Sequence, residues 1–68
     1  MIDIEIVREQ LAVNGECMIT LGAGQYDTIR SVTFSEDMNC KVHVTSGRGR
    51  TLRHLNKEGW RVYDSETL

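Results

Sequence analysis

Proline is absent from this chain of 68 residues, aromatic residues make up only 6% of it, and cysteine occurs twice. With no Pro-rich or Ser-rich linker, internal repeat or low-complexity tract, residues 1–68 form a single small domain by expectation. No stretch approaches the ~18 consecutive apolar residues of a membrane-spanning helix, so no membrane partner is expected. Residues 1–15 carry Asp3, Glu5 and Glu9 where a secretory signal has a basic start and an apolar centre, which makes the expected location cytoplasmic. In that setting Cys17 and Cys40 are expected to be reduced thiols, not a disulfide framework. A domain this short buries about 60% of its unfolded surface, so a large enclosed active site is not expected and a homo-oligomer would help its small core.

Signatures of chemistry are missing too. Cys40 and His43 are the only close pair of soft or imidazole ligands, with Cys17 and His54 remote in sequence. Three positions apart on a strand, they face opposite sides and cannot chelate together, so no metal or other cofactor is expected. Neither cysteine is related by motif to a base, and both fall on apolar strand positions where the thiolate is disfavoured. Gly22-Ala23-Gly24 lacks the ending of a phosphate-binding loop and serves as a turn. The chain is expected not to be an enzyme.

What the sequence does contain is a divided charge. The formal total is −2, but residues 1–40 hold Asp3, Glu5, Glu9, Glu16, Asp27, Glu36 and Asp37 against Arg8 and Arg30. Residues 41–61 reverse this, with Lys41, Arg48, Arg50, Arg53, Lys57 and Arg61 against Glu58. Two faces of opposite sign can steer two different partners.

The periodicities predict an α+β, β-rich fold. Ile4, Val7 and Leu11 recur at helical spacing between an Asp start and an Asn14-Gly15 stop, giving a helix over Asp3–Val13; the rival is a strand, with Ile2, Ile4 and Ile6 alternating with Asp3 and Glu5 and Asn14-Gly15 as a hairpin turn. Cys17, Ile19 and Leu21 then alternate with polar neighbours, Asp27–Ser35 is dense in β-formers, and Cys40, Val42 and Val44 alternate with Lys41, His43 and Thr45. Placing Phe34 opposite Cys40 across a turn at residues 36–39 sets Val32 against Val42. Asn56-Lys57-Glu58-Gly59 has the chemistry of a hairpin turn between Leu52–Leu55 and Trp60–Tyr63; the rival is a helix over Thr51–Lys57 stopped by Gly59. The favoured sum is an N-terminal helix followed by about five short antiparallel strands in a small curved sheet or barrel.

Phe34-Ser35-Glu36-Asp37-Met38-Asn39 followed by Val42 resembles the first motif of the Sm-like family, Phe-Asp-x-x-Met-Asn and an apolar strand residue three positions on. The resemblance spans residues 34–42 only. Ser35 stands where that motif has Asp, the Gly upstream of Phe34 is absent, and no Arg-Gly pair of the second motif lies near the C-terminus. It implies Asn39 as a base contact.

Two readings of function follow from the residues. In the first, a non-enzymatic regulatory protein binds RNA or DNA, with Arg48, Arg50, Arg53, Lys57 and Arg61 on phosphates and Tyr63 among the contacts. Gly47-Arg48-Gly49 would make Ser46–Arg50 an anion-binding loop, and Trp60 is assigned to the core in preference to a stacking role. In the second, a small protein of the kind phages and mobile elements encode docks on a host nucleic-acid-handling enzyme and inhibits it. Its acidic surface would come from Asp3, Glu5, Glu9, Glu16, Glu36 and Asp37. A third reading, a homo-oligomeric subunit, takes Met1, Ile2, Ile6 and Met38 as surplus apolar surface.

Overall fold

The computed structural model describes residues 1–34 and 41–63. Helix α1 runs Ile4–Asn14, one residue displaced from the predicted span. Asp3 caps it, accepting from the amides of Glu5 at 3.0 Å and Ile6 at 3.4 Å, and the Gly15 N–H closes it on the Leu11 carbonyl. Its inward stripe is Ile4, Val7 and Leu11, as the spacing requires.

Strands β1 (Cys17–Gly22) and β2 (Gln25–Phe34) form a hairpin whose turn takes three successive positive φ values, 91° at Gly22, 52° at Ala23 and 77° at Gly24. Such a sequence of left-handed residues needs the glycines on either side of Ala23. Strand β3 (Val42–Ser46) pairs antiparallel with β2, with Phe34 opposite Val42 and Val32 opposite Val44. Around Val32 and Phe34 the register therefore differs by two residues from the predicted pairing, which keeps those side chains inward, while an irregularity between Ile29 and Val32 changes the phase of β2 and brings Ile29 opposite Ser46. The predicted turn at residues 36–39, and Cys40 with it, lies outside the described residues.

Helix α2 (Leu52–Glu58) stands where the favoured reading put a strand. The Thr51 side chain caps its start by accepting from the His54 amide at 3.3 Å. At its end Gly59, at φ 92°, donates to the Asn56 carbonyl while the Trp60 amide donates back to the Leu55 carbonyl. This is the paired hydrogen bonding of a Schellman motif, and its usual apolar contact between a residue in the last turn and the residue after Gly is supplied by buried Leu55 and Trp60. Gly59 thus stops a helix instead of turning a hairpin, and Asn56, free of the turn, accepts the Ile2 amide at 2.8 Å.

With that segment helical, the remaining chain reaches the sheet only as β4 (Arg61–Val62), which pairs antiparallel with β1 through Ile19 opposite Val62 and Thr20 opposite Arg61. The described residues give a four-stranded antiparallel sheet in the order β3-β2-β1-β4, open and not closed, with two helices. The expectation of about five strands and a barrel is corrected to this α+β arrangement. Both helices pack on one face. Ile2 and Val7 from the N-terminal segment, Leu55 from α2 and Trp60 meet Cys17, Ile19, Ile29 and Val44 of the sheet. Each fully buried side chain of this kind contributes roughly 1.5–3 kcal/mol. Trp60 is core, as assigned; Ile2 is core too and not surplus surface, whereas Met1 and Ile6 are exposed.

No described helix is long and apolar enough to cross a membrane.

Candidate functional site

Residues paired across an antiparallel sheet share a face, so the register sorts the side chains. Cys17, Ile19, Asp27, Ile29, Val44 and Ser46 point into the helix-covered side and are all buried. The opposite side carries Met18 and Thr20 of β1, Tyr26, Thr28 and Arg30 of β2, His43 and Thr45 of β3, and Arg61 of β4. No described element covers it: Met18 remains 46% and Tyr26 45% exposed, and Arg30, His43, Thr45 and Arg61 are exposed as well.

Two tyrosine rings meet on this open face. Tyr26 and Thr20 are cross-strand partners, Thr20 and Arg61 are partners on its other side, and the Tyr63 N–H donates to the Met18 carbonyl at 2.9 Å. The rings of Tyr26 and Tyr63, from segments on either side of β1, meet edge to face with centroids 5.5 Å apart and planes at 79°. Thr20 lies on the strand between them. It is only 7% exposed, with its hydroxyl donating to the Gln25 carbonyl at 2.8 Å and accepting from the Gly22 amide. Arg61 lies one strand over from Thr20, and Arg30 lies further along β2, 3.8 Å from Glu16 in a solvent-exposed pair. Among the described residues Glu16 is the one carboxylate at the rim of this face; Asp3, Glu5 and Glu9 belong to α1 and its cap, and Glu58 to α2.

The basic candidates do not form one patch. Arg61 and Tyr63 belong to the open face. Arg53 and Lys57 project from adjacent turns of α2, on the helix-covered side, where His54 reaches Glu58 at 3.5 Å. Arg48 is exposed in the loop after β3. Within that loop the amides of Gly47, Gly49 and Arg50 are already bonded, to the Thr28 carbonyl, the Ser46 carbonyl and the Ser46 hydroxyl. The Arg48 side chain is therefore the main group this loop offers an anion.

Arg50 turns inward. Its guanidinium donates to Asp27 at 2.8 Å and stacks on the Trp60 indole with 5.0 Å to the ring centre. The Asp27 side chain is 3% exposed. Burial pushes its carboxyl up, but bonds from the Ser46 hydroxyl, the Thr28 amide and Arg50, with that cation's charge, outweigh burial and hold it below the ordinary carboxylate range. The Trp60 indole N–H is satisfied by Glu58 at 3.2 Å. Sequence reading missed both this Asp27–Arg50–Trp60 stack and the Tyr26–Tyr63 pair, because each joins residues remote in the chain.

Of the acidic candidates, Asp3 is occupied as the α1 cap. Glu5 and Glu9 flank Arg8 and, with Ala12, line a shallow depression along α1. Arg8 itself lies over the Phe34 ring, 5.1 Å from its centre. Glu16 is at the far rim. Glu36, Asp37, Met38 and Asn39 lie outside the described residues, as do Asp64 and Glu66. Cys17 is a free, buried thiol that burial pushes up, away from nucleophilic form. The described His, Cys, Asp and Glu side chains include no group of three placed to hold a metal ion.

No family model, curated protein or solved structure matches this chain.

Proposed function

We propose that this chain is a non-enzymatic nucleic-acid-binding protein that acts by occupying its target. The observation carrying this reading is the uncovered sheet face, where Arg61 and Tyr63 stand beside Tyr26 while both helices, and the carboxylates of α1, lie on the other side. Cations next to exposed aromatic rings suit the two parts of a nucleic acid, its phosphates and its bases. The contact then centres on the open face and not on the whole basic segment 47–61, since Arg50 is committed to Asp27.

Binding is tested with labelled oligonucleotides over a range of salt concentrations. Arg61→Ala should weaken binding and flatten the log–log salt dependence by about 0.7–0.9 for each phosphate the protein no longer neutralises. An Arg61→Ala protein with unaltered affinity and salt slope would remove the reading. The acidic alternative, a host protein held by α1, draws on Glu5 and Glu9 lying along one depression. Under it, charge reversal at those two residues eliminates partner capture and Arg61→Ala leaves capture intact.

A further inference from the structure

We infer that the ligand of the open sheet face is a single-stranded nucleic acid, with an unpaired base stacked on the exposed Tyr26 ring, which Tyr63 contacts edge to face, and its backbone led past Arg61 and Arg30. The inference rests on the nucleic-acid reading above and narrows it to a substrate class. In a duplex the base faces are covered by neighbouring base pairs, so an aromatic ring can stack only on a base already out of the helix. Phosphates alone would need only cations. Here, however, the uncovered face also exposes two large apolar side chains, Tyr26 and Met18, and Tyr26 meets Tyr63 at 79°. A pair locked edge to face holds its rings in place before any ligand arrives, which spares the entropy of ordering them on binding.

The cations are disposed to match. Arg61 and Tyr26 are cross-strand partners of the same residue, Thr20, on opposite sides of β1, about two strand spacings or ~10 Å apart at the backbone. Arg30 follows Tyr26 along β2 at ~13 Å by strand rise. Such distances are too large for all three to hold one phosphate group, and they fit successive units of an extended strand running diagonally over the sheet. Charge on the face is complementary to this ligand, since Glu16 is the one carboxylate at its rim among the described residues. A stacking contact is tolerant of base identity, so weak sequence preference is expected.

The decisive measurement is anisotropy of labelled oligothymidylate and oligouridylate, each about ten nucleotides long, against a blunt duplex of equal length. The single strands should bind at least tenfold more tightly than the duplex. Tyr26→Leu, which keeps apolar bulk over Thr20, should weaken single-strand binding about ten- to a hundredfold, and Tyr26→Phe should retain it. On the wild-type protein, independent of any variant, amide shifts on adding oligothymidylate should cluster at Met18, Tyr26, Thr28, Arg30, Arg61 and Tyr63. Equal or tighter duplex binding, or shifts confined to α2 and the Arg48 loop, overturns the single-strand inference while leaving nucleic-acid binding in place. Failure to bind either oligonucleotide form overturns both.

Discussion

At the scale of single residues the most consequential contact is between Asp27 and Arg50. A carboxylate buried to 3% exposure tolerates its charge because three donors, one of them the Arg50 cation, converge on it. Asp27→Asn should leave the guanidinium stacked on Trp60 without its counter-charge and lower stability by about 2–4 kcal/mol, measured by urea unfolding. The same contact fixes a pH dependence. The folded Asp27 binds its proton less readily than the unfolded one, so the stabilisation is complete above the unfolded value of about 3.9 and is lost as pH falls through the lower folded value. Melting temperature should fall as pH drops below about 4, and the part of the fall due to Asp27 should be absent in Asp27→Asn. Part of the site was legible at this scale: Arg61 and Tyr63 stand out as a basic and an aromatic residue near each other. Tyr26 does not, because what makes it notable is a ring from a segment two places away in the sheet.

Between residues and the whole fold, the informative element is α2. Helix α1 and the inward faces of β1 and β3 follow directly from apolar spacing and from the Asp3 and Gly15 ends, whereas β2 turns a buried Asp27 inward and changes phase between Ile29 and Val32. The segment after Thr51 cannot be read the same way. Leu52 and Leu55 satisfy either a helical turn or a strand arm, and Gly59 serves a helix end and a bulged hairpin equally. In the tertiary structure the segment is helical, and Leu55 and Trp60 are buried together where the helix ends. Gly59→Ala tests that account. A Cβ there would meet nothing within 4 Å, so the cost lies wholly in holding alanine at φ 92°. A loss of about 1–2 kcal/mol in thermal or denaturant unfolding is expected, against little change for an exposed Lys57→Ala. The two-residue register shift between β2 and β3 escaped the sequence for a related reason: either pairing keeps Val32, Val42 and Val44 inward, so burial alone does not choose between them.

For the molecule as a whole, one layer of helices on one face of one sheet leaves a side that no described element covers. The acidic side chains of α1 and the tyrosine-bearing face thereby end up on opposite surfaces, so a net charge of −2 does not describe what a ligand meets on either. The edge of the sheet beneath the tyrosines is β4, only two residues long and followed directly by Tyr63, whose N–H holds the Met18 carbonyl. Local opening is easiest where a strand has few ladder bonds, so the amides of Arg61 and Tyr63 should exchange with deuterium well before those of Ile19 and Ile29. Tyr63 is in place only while β4 is docked, which makes the fraction of docked molecules a direct multiplier on affinity. A ligand seated across Tyr26 and Tyr63 would act as a clasp on β4, and the slowing of deuterium uptake there would report its arrival from the protein's own side.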